Sequence, residues 1–181
     1  FLQATGEFLG GLDRSTKPAL QAAVAIVARN TWSALKARKA LQVSWAATAF
    51  DSHSSSGYRT EAKRLLALPG ETWRNDGDVE AALKSASVKI DAYYELPILS
   101  HNCMETMSCL AEPLSNGGLR LSSPSQFPSG PVDAIHTVFG IPKEKIELHI
   151  PRLGGAFGRR WEVDFALDAS AIALKMKAPI L

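Results

Sequence analysis

The residues Gly154-Gly155-Ala156-Phe157-Gly158-Arg159-Arg160 are the part of this chain best equipped for chemistry. Glycine reaches backbone angles that other residues avoid and lets a ligand approach the main chain closely. Free N–H groups at the start of a following helix carry partial positive charge and suit an anion. Two guanidinium groups add full charges in a shape made for bidentate phosphate contact. The segment therefore reads as a site for a phosphorylated ligand; the alternative is a tight strand-to-helix turn with two solvated arginines. Two nucleotide motifs fail here. The spacing is G-G-x-x-G rather than G-x-G-x-x-G with an acidic ribose partner, and the G-K-[ST] of a P-loop is missing. A nicotinamide or ATP site is not expected.

Other reactive side chains carry less. His101, Cys103 and Cys109 have a spacing that matches no compact zinc pattern, and a fourth ligand is absent, so no protein-ligated metal is expected. The two cysteines are read as buried reduced thiols rather than a disulfide framework. Judged by residue type alone, Gln126 is a turn or helix-capping glutamine. His136 and His149 are assigned core or surface roles, and Trp32, Trp45 and Trp73 packing roles. Trp161, directly after the arginines, is the tryptophan placed to line a site.

The elements that must position the glycine loop follow from pattern. Ile146 to Ile150 alternates as a strand before the loop, and Val163 to Lys177 is a long alanine-rich helix after it. Ser125 is expected to cap a helix from Pro128 to Phe139, ended by Gly140 with Pro142 beyond. Cys109 to Pro113 and Leu119 to Ser122 flank Asn116-Gly117-Gly118 and predict a hairpin. Further upstream, Ala22 to Ala28 suits a strand buried on both faces. Asn30 then caps a helix over TWSALKARKA, and Leu41 to Trp45 alternates as a second strand. The serine-rich Asp51 to Gly57 is expected to be a loop. A helix follows over Tyr58 to Leu68, then a short one over Val79 to Ala86 capped by Asp76 or Asp78. Val88 to Leu96 is predicted as a strand with Val88, Ile90, Ala92 and Tyr94 on one face. Phe1 to Pro18 shows no clear period and is expected to be irregular.

With those elements in place, RLGGAFGRR, preceded by IPKEKIELHIP and SSPSQFPSGPVDAIHTVFG, resembles the xanthine dehydrogenase and aldehyde oxidase family. HNCMETMSC, the double arginine, VAIVARNTWSALKARKALQVSW and NDGDVEAALKSA are most similar to its isoquinoline 1-oxidoreductase β-subunit branch. The resemblance covers Ala22 to Leu181 and implies an α+β fold, the end of an α/β hammerhead unit followed by the first part of a molybdenum-cofactor-binding domain. Residues 1–50 would be the partial hammerhead-like unit, 51–75 a linker with a helix, and 76–181 the N-terminal part of the cofactor domain.

The resemblance also implies roles. Gln126 matches a glutamine that hydrogen-bonds an oxo ligand of molybdenum, a task an amide performs without adding charge. Gly154, Gly155, Ala156, Phe157 and Gly158 match the loop passing beside metal and pterin, with Phe157 counted alongside Gln126 at the reacting centre. Arg159 and Arg160 replace a common Gly-Lys pair, and one of them is expected to contact phosphate or pterin. Glu105 follows Met104 as in the family's M-E-P, with Thr106 in place of proline, and is expected to be structural. The implied cofactor is a molybdopterin, in the cytosine dinucleotide form usual in bacterial members. The implied reaction is hydroxylation of an N-heteroaromatic or an aldehyde with oxygen from water. Electrons would leave through an iron–sulfur partner subunit. The family's glutamate base, in a G-x-G-E-like segment further downstream, has no match here. The chain alone is therefore expected to be inactive and to hold no cofactor tightly.

Bulk properties are compatible with this. The 181 residues are 46% hydrophobic and 21% charged, with a net charge of +2. That balance is ordinary for a globular chain and gives no bias toward nucleic acid or an anionic membrane. No apolar run approaches the roughly 20 residues of a membrane span. The compartment stays open between bacterial cytoplasm and periplasm. Two other readings stand beside the enzymatic one: a non-catalytic binding or scaffold module with the same fold, and a phosphate-ligand enzyme unrelated to molybdenum.

Overall fold

A computed structural model describes residue 20 and residues 23–48 and 51–181. Phe1 to Pro18 and its expected irregularity, with Ala22, lie outside the described residues. The chain divides into two compact units, one of residues 1–41 and 101–181 and one of residues 42–100.

In the first unit, the local rules of strand and turn build a small mixed sheet. Strands β1 (Leu110–Pro113) and β2 (Leu119–Ser122) pair antiparallel, and β2 pairs parallel with β3 (Ile146–His149), giving the order β1-β2-β3. The hairpin closes where expected: Gly117 adopts φ 77°, Leu114 donates to the Gly118 carbonyl at 2.9 Å, and Gly118 donates to Asn116 Oδ1 at 2.9 Å. Along β2 the period of two buries Leu119 and Leu121 and turns Arg120 outward. Arg120 then bridges both neighbours, with Nε at 2.7 Å from Glu147 and NH1 at 3.1 Å from Glu112, its two register partners. Exposed pairs of this kind add little stability but favour one register.

Helix α4 (Ser129–Phe139) connects β2 to β3 and buries Ala134 and Ile135. It ends at Gly140 with φ 69°, as the glycine predicted. Its start differs from expectation. Pro128 occupies the N-cap position, and Ser125 Oγ instead accepts from Phe127 N–H at 3.0 Å, tightening the turn ahead of the helix. Helix α5 (Asp164–Met176) packs on β1 and α4. Its buried Ala166, Ala169, Ser170 and Ala173 recur at helical spacing, and their small side chains allow close approach. After α5 the chain returns to β1, where Ala111 and Ile180 exchange two backbone hydrogen bonds of 2.8 and 2.9 Å.

Helix α1 (Thr31–Ala40) forms as predicted, with Asn30 Oδ1 accepting from Ser33 N–H at 2.9 Å. The strand expected over Ala22 to Ala28 is not formed by its described residues beyond one bridge position at Ala23, and Val24 and Val27 are half exposed. This stretch lies along the C-terminal part of α5, lining an apolar cleft with Ile172 and Met176. An all-apolar run satisfies a buried strand only where strands flank it on both sides, and the described residues supply none.

The second unit contains α2 (Ser55–Leu66) and α3 (Val79–Ser85). Helix α2 begins inside the segment expected to be a loop, because Ser54 Oγ caps it by accepting from Gly57 N–H at 3.1 Å. Asp78 caps α3 by accepting from Ala81 N–H at 3.0 Å. Neither Leu41 to Trp45 nor Val88 to Leu96 forms the predicted strand, and Ile90 and Tyr94 are each 89% exposed. Alternation gives such a stretch a face to bury, but a strand also needs a neighbour for its N–H and C=O groups. No strand forms among the described residues of this unit. Tyr93 and Glu95 are held by side chains instead, under Lys63 and beside Arg59 of α2. The observed elements together are α+β.

Candidate functional site

The glycine loop leaves β3 and enters α5 through a 3-10 turn at Arg159–Trp161. Three positions take positive φ: Gly155 at 105°, Phe157 at 50° and Gly158 at 89°. Only glycine reaches the first and last of these without strain. Gly154 is glycine for space, since a Cβ there would stand 2.6 Å from Glu105 Cβ. Phe157, by contrast, tolerates its left-handed angle and projects outward, 72% exposed.

The hydrogen bonds of this loop are one-sided. Every carbonyl from residue 154 to 157 is taken from the protein side. Gly154 O accepts from Glu105 N–H at 3.3 Å, and Gly155 O from Arg160 Nε at 2.9 Å. Ala156 O accepts from Arg159 N–H at 2.8 Å and from the Cys103 thiol at 3.3 Å. Phe157 O accepts from His101 Nδ1 at 2.5 Å, which fixes the proton on that nitrogen. At the ends, Gly154 N–H donates to Glu105 Oε2 at 2.7 Å and Gly158 N–H to Gln126 Oε1 at 3.0 Å. The N–H groups of Gly155, Ala156 and Phe157 have no acceptor among the described residues. Three successive donors at the tip of a bend suit an acceptor-rich ligand.

Gln126 meets the loop directly. Its main-chain N–H donates to Arg160 O at 2.9 Å, while its side-chain oxygen is used by Gly158. The amide therefore turns its NH2 away from the loop, leaving two donors for something else. The structure thus brings Gln126, Gly154, Gly155, Ala156, Phe157, Gly158, Arg159 and Arg160 into one neighbourhood. The two arginines part company. Arg159 is half-buried and holds Asp164 bidentately at 2.8 and 2.7 Å, over the ring of Phe165. The Asp164 carboxylate raises its pKa above the ordinary guanidinium value. Arg160 is fully buried, its NH2 on Glu105 Oε2 at 2.7 Å and on Glu105 O at 3.3 Å.

One residue went unnoticed at the level of sequence. Phe127 stacks on Trp161 with centroids 5.2 Å apart and planes 10° off parallel, forming a half-exposed aromatic pair beside Gln126. Its only signal was adjacency to Gln126. His101 was weighed for zinc, yet its ring secures the loop carbonyl. Cys103 and Cys109 are free thiols, and no three His, Cys, Asp or Glu side chains converge as metal ligands among the described residues. No helix among the described residues is long and apolar enough to cross a membrane.

Comparison with known proteins places this geometry in context. Residues 58–181 match the family model described as molybdopterin cofactor-binding domain. The isoquinoline 1-oxidoreductase subunit beta of Brevundimonas diminuta is 26% identical over 158 residues, which is 82% of this chain and 20% of that protein. A probable xanthine dehydrogenase subunit of Bacillus subtilis (strain 168) is 31% identical over 106 residues, 59% of this chain and 14% of its own length. The aldehyde oxidoreductase molybdenum-binding subunit of Escherichia coli O157:H7 is 30% identical over 123 residues, 66% of this chain and 17% of that subunit. The chain spans a fifth or less of the length of these relatives.

Proposed function

The chain belongs to the molybdopterin cofactor-binding domain family, and from that premise we propose that it supplies one wall of the cofactor site in the large subunit of a molybdenum hydroxylase. The observation that carries this is the orientation of donors: the N–H groups of 155–157 and the Gln126 NH2 have no acceptor among the described residues. A pterin with phosphates and a metal centre with oxygen ligands offers many acceptors, so the donor set fits the group. When bound, the cofactor supplies the oxidative chemistry. The chain's own residues would hold and orient it through the Gln126 NH2 and the 155–157 N–H groups. Phe157, 72% exposed on the loop, would offer an apolar surface beside it.

Of the arginines, Arg159 is assigned to phosphate, because Asp164 occupies two of its five donors and its side chain is 28% exposed, whereas Arg160 is fully buried. The remaining parts of the proposal are the cytosine dinucleotide form of the cofactor, an iron–sulfur partner subunit, and an N-heteroaromatic or aldehyde substrate. The half-exposed pair Phe127 and Trp161 supports a planar substrate. The division into a hammerhead-like unit over 1–50, a linker over 51–75 and a cofactor domain over 76–181 belongs here too. The family match begins at residue 58, after the serine-rich segment and within the proposed linker, and the capped helix α1 lies between two apolar stretches.

The test is Gln126→Ala in the full-length protein that contains this chain. Losing a ligand-orienting partner is expected to lower molybdenum content or turnover by roughly 10–100-fold. Unchanged metal content and turnover in this variant and in Phe157→Ala would remove the assignment.

A further inference from the structure

We infer that Glu105 and Arg160 are positioning residues that turn the 154–158 loop with its carbonyls toward the protein and its central N–H groups toward the ligand. The inference takes from the proposed function what the loop holds, but not how the loop is held. Arg160 has no exposed surface, so its charge requires partners inside the fold. It has them in Glu105 Oε2, Glu105 O and Gly155 O. The same Glu105 Oε2 accepts from Gly154 N–H. One carboxylate oxygen thus joins the entrance of the loop to the residue that follows it. Meanwhile Arg160 Nε draws the Gly155 carbonyl inward, and a peptide whose C=O points in presents the next N–H outward.

Arg160 also couples the loop to Gln126. Its carbonyl accepts from Gln126 N–H at 2.9 Å and from Ser125 Oγ at 3.4 Å. The side chain sets the loop while the main chain of the same residue sets the glutamine. Lysine could not do this, because a single ammonium lacks the planar fork that reaches Gly155 O and Glu105 together. Arg160 NH1 is buried with no partner among the described residues, so three directed bonds to fixed acceptors, rather than full satisfaction of the group, define its position.

The experiment follows hydrogen exchange by NMR at the Gly158 and Arg159 amides of this chain. Their acceptors are Gln126 Oε1 and Ala156 O, neither of which belongs to Glu105. Glu105→Ala is expected to speed both by roughly tenfold or more while the amides of α5 keep their protection. Glu105→Gln retains an oxygen that accepts from Arg160 and Gly154, and should restore most of it. Wild-type exchange at Gly158 and Arg159 in a folded Glu105→Ala chain overturns the inference. Should that variant not fold, Arg160→Lys gives the same readout, with freed loop amides in support and protected ones against. In the full-length protein, Glu105→Ala should lower molybdenum content by about tenfold. A freed loop with full molybdenum content overturns the positioning role, provided Gln126→Ala does lower that content. If neither variant lowers it, the cofactor reading falls and the clamp on the loop stands.

Discussion

Arg159 and Arg160 adjoin in sequence yet point to different destinations, and local geometry explains why. In a 3-10 turn successive side chains diverge by about 120°, so one guanidinium reaches Asp164 on α5 and the next enters the interior beside Glu105. The residue types in this loop were legible from sequence; the side from which each acts was not. That depends on the positive φ of Gly158, just ahead of the turn, and on a glutamate 55 residues upstream of Arg160. The two cysteines offer a check on the environment at the same scale. Burial pushes the Cys109 thiol up to about 11, and its side chain lies inside the core, whereas Cys103 is only partly buried at the loop. Alkylation mapped by mass spectrometry should label the partly exposed Cys103 and spare the buried Cys109 until the chain unfolds. The neutral Cys109 thiol stabilises the fold fully below the unfolded-state pKa, and that contribution is lost as pH rises through about 11. Labelling of Cys109 in the folded chain at a rate equal to that of Cys103 would contradict its burial.

Among the elements, those with local punctuation were read correctly: α1 from Asn30, α4 from its terminal Gly140, and the hairpin from Asn116-Gly117-Gly118. Of the stretches predicted as strands from alternation, Ile146 to Ile150 formed because β2 lies beside it, while Leu41 to Trp45 and Val88 to Leu96 did not, since a strand is a relation between two segments and the period describes only one. The hairpin separates two roles of glycine that sequence cannot tell apart. Gly117 needs its angle: φ is 77° and a Cβ would meet nothing within 4 Å. Gly118 needs its size, because a Cβ would lie 2.3 Å from the Lys145 carbonyl oxygen, immediately before β3. Gly117→Ala should cost about 1–2 kcal/mol, the usual penalty for a left-handed residue with a Cβ. Gly118→Ala must push the Lys145 backbone away, and we expect it to cost more than about 3 kcal/mol. Urea unfolding midpoints measure both. A larger loss at Gly117 than at Gly118 would mean that the close approach of Lys145 to the hairpin is absent.

For the whole molecule, the distribution of apolar surface matters more than any single site. In the unit of residues 42–100, Val88, Ile90, Tyr94, Leu96 and Ile98 fall at even spacing, and each is at least 74% exposed. Even spacing puts them on one face when the backbone is extended, so this segment presents an apolar edge of the sort that drives association. The first unit, in contrast, buries its equivalent face: Leu119 and Leu121 are fully buried in a core that also holds Ala134, Ile135, Ala166 and Leu167. The chain is therefore expected to bind the dye ANS and to self-associate as concentration rises, both through residues 88–98. Ile90→Lys combined with Leu96→Lys should suppress dye binding and association together. Because those side chains bury little in this chain, the double change should alter unfolding stability by less than about 0.5 kcal/mol per site. Fluorescence titration, light scattering and urea unfolding on the same samples decide the matter. A loss of several kcal/mol would place the segment in a core. Undiminished dye binding would move the sticky surface elsewhere.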